Sequence, residues 1–268
     1  MRIVLVTDSH LAPNAAAHDA NWRAVRVFAG GANAELTLHL GDITGDGVND
    51  EDHYRHALMM TRNWPTPIRF LPGNHDIGDN PPGPELPAEP PLDPGTMALY
   101  HDSFGADHWA LDAAGWRLIG LNAQLLGSDT REEEEQWLWL QASLDGALGR
   151  PVMLLSHKPL FHDDPADPQP HGRYVPLSPR RRLLALLAGA DWRIVVSGHA
   201  HQYLDRMIGG TRHIWLPSSA YVFTDSSQER IGEKIVGLGL IELTPADHRF
   251  EIETPQGLRR HEISLDKP

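Results

Sequence analysis

The stretch Leu71-Pro72-Gly73-Asn74-His75-Asp76 decides the fold that this sequence predicts. It follows a short apolar run, Ile68 to Leu71, whose length and flanking turn residues are typical of a buried strand. Asn74, His75 and Asp76 therefore fall on a tight turn at the carboxyl end of that strand. Because ligand sites in open α/β sheets gather at this end of the strands, the stretch predicts an α/β fold with its chemistry at the strand ends.

Two predicted strands precede this turn, and each ends in polar residues. Arg2 to Thr7 reads as a buried parallel strand that ends at Asp8-Ser9-His10, and Leu36 to Leu40 reads as a second strand that ends at Gly41-Asp42. Apolar residues at helical spacing lie between the strands. This alternation of strand and helix predicts a parallel sheet.

Three more strands are predicted downstream, and two of them end in histidine. Trp116 to Leu121 is the first, Pro151 to Ser156 ends at His157, and Trp192 to Ser197 ends at Gly198-His199-Ala200-His201. In all, five strand-like runs therefore end in side chains that bind hard or borderline metal ions.

A proline-rich loop follows the Asn-His-Asp turn, from residue 77 to residue 95. Proline excludes helix and central strand there, and we expect the loop to form a pocket wall or lid, with a surface excursion or an oligomer contact as the alternative. The polar residues at the strand ends run from Asp8 to His201 and are expected to act together. We therefore expect one domain over residues 1–268, with a β-rich carboxyl-terminal part at 212–263.

Composition narrows the class of protein. The 268 residues are 41% hydrophobic and 22% charged, as in an ordinary globular protein. A formal net charge of −13 argues against a duplex nucleic-acid binder. There are no cysteines, and no apolar run is long enough for a secretory or membrane segment. We expect a cytoplasmic protein that has no membrane partner and can form a homo-oligomer.

The strand-end side chains form a candidate metal site. Two carboxylates, one amide oxygen and four imidazoles suffice for two metal ions if one carboxylate is shared. Borderline divalent ions such as Mn²⁺, Fe²⁺ or Zn²⁺ accept this mixture of nitrogen and oxygen ligands, whereas Mg²⁺ and Ca²⁺ prefer oxygen alone. The candidate ligands are Asp8, His10, Asp42, Asn74, His157, His199 and His201.

The order of these motifs resembles that of the calcineurin-like metallophosphoesterases. The motifs are Asp-x-His, Gly-Asp, Gly-Asn-His-Asp, a lone His after a strand, and Gly-His-x-His. The resemblance implies a four-layer α/β/β/α sandwich with a dinuclear metal site at the strand carboxyl ends. It implies that one ion is held by Asp8, His10, Asp42 and His201. It implies that the other is held by Asp42, Asn74, His157 and His199, with Asp42 bridging.

The same resemblance implies the chemistry. We expect hydroxide held by the metal ions to attack phosphorus directly, without a covalent enzyme intermediate. His75 is expected to hydrogen-bond a phosphoryl oxygen or to protonate the leaving oxygen. Asp76 is expected to orient the His75 imidazole and keep it protonated. No block supplies the tyrosine ligand of purple acid phosphatases, which argues against a mixed-valence iron centre.

Sequence features that are less specific than the metal motifs indicate one branch of the family. Three features are similar to the cyclic-nucleotide and glycerophosphodiester phosphodiesterases. They are Trp116 to Asn122, the later stretch Glu135-Gln136-Trp137-Leu138, and Gln202. We therefore expect hydrolysis of a small phosphodiester. The alternatives are a phosphomonoesterase or nucleotide pyrophosphatase on the same centre, and a non-catalytic scaffold, which would be expected to lack some of these ligands.

Other charged groups are interpreted as structural. The acidic run Glu132 to Glu135 complements the start of a helix, and Arg180 to Arg182 are expected on a solvated helix face. Lys158 stands where the branch often has a second histidine or a proline. We expect it at the surface rather than on a substrate phosphate.

Overall fold

The structure, a computed structural model, describes residues 1–81, 90–169 and 171–265. Thirteen strands are present in this part of the chain: β1 (Arg2–Val6), β2 (Leu36–His39), β3 (Ile68–Phe70), β4 (Trp109–Ala113), β5 (Trp116–Leu121), β6 (Val152–Ser156), β7 (Trp192–Ser197), β8 (Leu204–Ile208), β9 (Thr211–Trp215), β10 (Val222–Phe223), β11 (Leu238–Leu243), β12 (His248–Glu253) and β13 (Glu262–Ile263).

Six α-helices and one short 3₁₀ helix connect them within the same described ranges. The α-helices are α1 (Ala16–Gly31), α2 (Glu51–Thr61), α3 (Asn74–Ile77), α4 (Pro94–Phe104), α5 (Arg131–Asp145) and α6 (Leu177–Leu187), and the 3₁₀ helix covers Ala123–Leu125. No helix of the described residues has both the length and the apolar character needed to cross a bilayer.

The strands form two large mixed sheets. The first sheet has the order β12-β11-β1-β2-β3, in which β1, β2 and β3 run parallel, as predicted. The second sheet has the order β4-β5-β6-β7-β9-β8, with parallel pairing from β5 to β9 and antiparallel strands at both edges. The short strands β10 and β13 pair with each other outside these sheets.

The two sheets pack face to face, and helices cover their outer faces. Alternation along β1 shows why. Ile3 and Leu5 point into the cluster between the sheets, whereas Val4 and Val6 point into the cluster under α1, α2 and α4. In β6, Met153 points between the sheets, and its neighbours pack against α5 and α6. The predicted four-layer α/β/β/α sandwich is confirmed.

Two local predictions need correction. Helix α4 starts at Pro94, inside the loop predicted for residues 77–95, because Asp93 caps it and proline is tolerated in a first turn. Helix α6 starts at Leu177, before the predicted cap Ser178. Much of the proline-rich loop, residues 82–89, lies outside the described residues.

Candidate metal centre

Both sheets supply candidate metal ligands to one place. Asp8 and His10 follow β1, Asp42 follows β2, and Asn74 opens α3 after β3. His157 follows β6, and the pair His199 and His201 follows β7. The carboxyl ends of parallel strands therefore meet across the interface between the sheets, and the structure brings all seven predicted ligands together there.

The turns that carry these ligands have an unusual backbone. Asp8, His10, Asp42, His199 and His201 all have positive φ, between 43° and 63°. Such left-handed conformations cost free energy in residues with a side chain and cluster at functional sites. The fold holds these five side chains in place at the expense of local backbone strain.

Glycines in the motifs allow close approach to the carboxylates. A Cβ atom on Gly73 would overlap the Oδ1 atom of Asp42, and a Cβ atom on Gly198 would lie 2.7 Å from the Oδ2 atom of Asp8. Neither position therefore accommodates a side chain without moving a carboxylate.

The first group of ligand atoms comes from Asp8, His10, Asp42 and His201, all of them buried. The Nε2 atom of His201 lies 3.1 Å from the Nε2 atom of His10 and 3.2 Å from the Oδ1 atom of Asp8. The Oδ2 atom of Asp42 lies 3.7 Å from the Nε2 atom of His10. These separations are those of atoms that face a common point.

The second group shares Asp42 and adds His157 and His199. The Nε2 atom of His157 lies 3.4 Å from the Oδ2 atom of Asp42, 3.1 Å from the Nδ1 atom of His199 and 3.2 Å from the Oδ1 atom of Asn74. One oxygen of Asp42 therefore faces both groups, which is the arrangement expected of a bridging carboxylate.

Main-chain carbonyls fix which ring nitrogen of each histidine faces the centre. His157 donates its Nδ1–H to the carbonyl of Leu40, and His199 donates its Nε2–H to the carbonyl of Gly172. The Nε2 atom of His157 and the Nδ1 atom of His199 then present two lone pairs to each other at 3.1 Å. Such a contact is stable only when a cation or a proton lies between the two nitrogens.

The hydrogen bonds of the Asp8 carboxylate indicate whether the site suits a cation. Its Oδ2 atom accepts the main-chain N–H of His199 at 3.0 Å, but its buried Oδ1 atom has no hydrogen-bond partner among the described residues. The Nε2 atom of His201 lies 3.2 Å away, but that ring donates its other N–H to the carbonyl of Tyr221. A buried anionic oxygen without a donor fits a metal ligand, so the residues present suit divalent ions.

The protonation states agree with this interpretation. Burial, reinforced by neighbouring imidazoles, keeps the pKa values of His10 and His199 well below the ordinary value, so both rings are neutral as ligands must be. Burial opposes a charge on His157, but Asp42 raises the pKa of that ring to about 9. Positive charge is thus favoured beside Asp42, whether a metal ion or protonated His157 carries it.

His75 lies next to this centre but faces the cavity differently from the ligands. Its ring centroid is 4.7 Å from that of His10, and its Nδ1–H donates to the carbonyl of Gly45 at 2.7 Å. Its Nε2 atom therefore remains available on the cavity side. Burial lowers the pKa of His75, but Asp42 and the Gly45 carbonyl outweigh it and raise the pKa overall, which favours an imidazolium that donates a hydrogen bond.

The orienting role expected for Asp76 is wrong. Its carboxylate accepts the main-chain N–H groups of Gly73, Ile43 and Thr44, together with the Thr44 hydroxyl. The Gly45 carbonyl orients the imidazole instead. Asp76 ties the Asn-His-Asp turn to the turn after β2, and its charge still contributes to the raised pKa of His75.

A cavity of about 580 Å³ opens beside the ligands. Asp42, Asn74, His75, His199 and His201 line one side. Pro168, Gln169 and residues 171–177 line another side, and Asp79 to Pro81 form part of the wall. A volume of this size suits a small organic ligand.

Lys158 and Arg180 were expected at the surface, but both are buried and line the cavity, with 1% and 3% of their surface exposed. Lys158 lies 2.6 Å from the Oδ1 atom of Asp79 and donates to the side chain of Asn80 at 2.7 Å. Lys158 and Asp79 lie 79 positions apart in the sequence, so no local pattern predicted the pair. Glu133, in the acidic run, is also buried and accepts the N–H groups of Gly127 and Asp129.

The sequence also gave no sign of Tyr221. Its buried hydroxyl lies 3.4 Å from the Nε2 atom of His10, and its ring packs against His201 and Phe223. Burial and the nearby Asp42 raise the pKa of this hydroxyl. A tyrosine hydroxyl therefore does lie beside the first ligand group, although it comes from a segment that carries no recognisable motif.

Comparison with known proteins shows relatives over most of the chain. The family of calcineurin-like phosphoesterases matches residues 1–203. A 3′,5′-cyclic adenosine monophosphate phosphodiesterase of Pseudomonas aeruginosa, CpdA, is 27% identical over 245 residues, covering 85% of this chain and 79% of the relative. A 3′,5′-cyclic-nucleotide phosphodiesterase of Nostoc sp. is 23% identical over 218 residues, covering 78% and 72%.

Solved structures agree on the fold. A dimetal phosphatase from Danio rerio superposes with a TM-score of 0.65 at 14% identity, covering 94% of this chain and 95% of that one. At this identity the likeness shows the fold alone. The family match, the four-layer sandwich and the buried Asp/His cluster together lead to one conclusion: the chain belongs to the calcineurin-like phosphoesterases and is a phosphoric ester hydrolase.

Proposed function

We propose that this protein is a dinuclear metal-dependent phosphodiesterase that hydrolyses a small diester of the cyclic-nucleotide or glycerophosphodiester type. The observation that carries the proposal is the position of Asp42, whose Oδ2 atom faces His10 at 3.7 Å and His157 at 3.4 Å. One carboxylate thus joins two ligand groups beside a cavity of about 580 Å³. The cyclic-nucleotide phosphodiesterases among the relatives support the substrate class.

Asp8, His10, Asp42 and His201 would hold one ion, and Asp42, Asn74, His157 and His199 the other. Two divalent ions at such a site lower the pKa of bound water and stabilise the negative charge on the oxygens around phosphorus. The donors mix imidazole with oxygen, which suits Mn²⁺, Fe²⁺, Zn²⁺ and similar borderline ions.

The chain's own residues complete the site. His75 presents its Nε2 atom to the cavity while the Gly45 carbonyl fixes the other ring nitrogen. As an imidazolium it would hydrogen-bond a phosphoryl oxygen or give its proton to the departing alkoxide oxygen. The cavity wall would hold the organic substituents of the diester away from solvent.

A substrate panel tests the proposal. Protein reconstituted with Mn²⁺ or Zn²⁺ is assayed with bis(p-nitrophenyl) phosphate, p-nitrophenyl phosphate, cyclic AMP and glycerophosphodiesters, with and without EDTA. We expect the diester to be cleaved faster than the matching monoester, and we expect EDTA to abolish both reactions. Faster cleavage of the monoester would assign the centre to a phosphomonoesterase instead.

A further inference from the structure

Three side chains with permanent positive charge line the described part of the cavity, and they differ in what surrounds them. Lys158 is neutralised by Asp79, whose Oδ1 atom lies 2.6 Å from the ammonium nitrogen. Arg180 is buried, and its guanidinium donates to the main-chain carbonyls of Leu160 and Asp167. Lys158 is therefore paired with a carboxylate and Arg180 is held by two carbonyls, although the Nε atom of Arg180 has no partner among the described residues. Arg173 is the third.

Arg173 has no carboxylate paired with it among the described residues. Among the described residues Arg173 forms no ion pair, although the charge of Glu229 acts on its neighbours His171 and Tyr174, and its Nη1 atom is buried without a hydrogen-bond partner. Its contact with a neighbouring side chain is with the hydroxyl of Tyr174. A guanidinium carries five N–H donors, and a buried donor without an acceptor is costly, so the arrangement calls for an acceptor from outside the protein.

The backbone fixes where Arg173 lies. The carbonyl of Gly172 accepts the Nε2–H of the ligand His199 at 3.3 Å, and the N–H of Val175 donates to the carbonyl of Pro159 at 3.0 Å. The segment is thus attached at both ends to turns that carry candidate ligands. His75 lies beside His10, whereas Arg173 follows the residue that contacts His199. The two side chains therefore line the same cavity from different segments of the chain.

We propose that Arg173 contacts the substrate and binds an anionic oxygen of its phosphoester group. This inference rests on the proposed function, because the anion is taken to be the phosphoester that the metal centre holds. A guanidinium suits phosphate because two parallel N–H groups match two oxygens. Arg173 would set the affinity for substrate, whereas His75 would act on the bond that breaks.

Three variants separate this role from a general effect of charge. Arg173→Met removes the guanidinium, Arg173→Lys keeps the charge without the paired N–H groups, and Arg181→Met is the matched control. Arg181 is exposed on α6 and is absent from the cavity lining. Each protein is loaded with metal, its metal content is measured, and inorganic phosphate is titrated into it by calorimetry. Kinetics with bis(p-nitrophenyl) phosphate follow.

For Arg173→Met we expect the Kd for phosphate and the KM for the diester to rise about tenfold to a hundredfold, the range for one charge-assisted hydrogen bond. We expect kcat to stay within about threefold of the unmodified protein, Arg173→Lys to lie between the two, and metal content to be unchanged. An Arg173→Met protein that matches Arg181→Met in both constants would overturn the assignment. If the unmodified protein cleaves no diester, the proposed function fails, and the phosphate titration still decides the role of Arg173.

Discussion

The main-chain N–H of His75 donates to the Oδ1 atom of Asp42 at 3.0 Å. This bond leaves the Oδ2 atom of Asp42 free to face both ligand groups, and it leaves the imidazole of His75 free to face the cavity. The backbone of one residue therefore supports metal binding, while its side chain is available for the reaction. The two roles can be separated by mutation.

His75→Ala keeps the main-chain N–H and removes only the imidazole. We expect kcat to fall by about 10² to 10⁴, the usual contribution of a positioned acid or base, with the content of both metal ions unchanged. Steady-state kinetics and elemental analysis measure the two quantities. His101→Ala is the control, because the His101 side chain is 46% exposed and lies outside the cavity lining. Loss of metal in His75→Ala would show that His75 is itself a ligand.

Asp42 and His201 should differ in how many ions they hold. Asp42→Ala removes the carboxylate shared by both groups, so we expect both ions to be lost and hydrolysis to fall to background. His201→Ala removes a ligand of the first group alone, so the second group should retain its ion. Elemental analysis after gel filtration reports the ratio. An Asp42→Ala protein that still carries both ions would disprove the bridge.

Removal of metal should lower thermal stability. The site brings the buried carboxylates of Asp8 and Asp42 together with four imidazoles, and ions that bind only the folded chain stabilise it by mass action. At a free metal concentration of about 100 times Kd, the gain is about 2.7 kcal/mol, or roughly 5–10 °C in Tm for a chain of this size. Differential scanning fluorimetry of EDTA-treated and reconstituted protein checks this. Equal Tm values would mean that the centre is not loaded.

Lys158→Met should destabilise the protein by about 3–5 kcal/mol, because it leaves the buried carboxylate of Asp79 without its cation. Burial already raises the pKa of Asp79, and Lys158 is the main influence that lowers it. The variant should raise this pKa further. When the pKa of a carboxyl group is higher in the folded state than in the unfolded state, the free energy of unfolding falls as pH rises above the unfolded pKa. The stability that Lys158→Met loses relative to the unmodified protein should therefore grow between about pH 4 and neutrality.

Urea unfolding of Lys158→Met and the unmodified protein at pH 5 and pH 7.5 measures this dependence. The double variant Lys158→Met with Asp79→Asn removes the titrating group and should show a deficit that is nearly independent of pH. A deficit in the single variant that is the same at both pH values would place the destabilisation in lost packing instead.

The sequence predicted the parts of the fold that are regular and the parts of the site that are grouped in short motifs. Strands such as β5 and β7 were found with their bounds because each is an apolar run bounded by turns. Asp8, His10, His199 and His201 were found because alternate residues of one turn meet at a strand end. The four-layer arrangement followed from the resemblance that these motifs carry.

What the sequence did not predict depends on contacts between distant segments. Lys158 meets Asp79 across 79 positions of sequence, and the hydroxyl of Tyr221 meets His10 across 211. The Gly45 carbonyl replaced Asp76 as the partner of the His75 imidazole because the turn after β2 folds over the Asn-His-Asp turn. In each of these three contacts the partner is distant in sequence.

The division of ligands between the two sheets has a consequence for assembly. Asp8, His10, Asp42 and Asn74 come from turns of the first sheet, and His157, His199 and His201 from turns of the second. With the proposed ligand sets, neither half of the sandwich would complete a coordination sphere by itself. Metal uptake should therefore report the docking of the halves, and a truncated chain that builds one half should remain unable to take up either ion, however well its own strands pair.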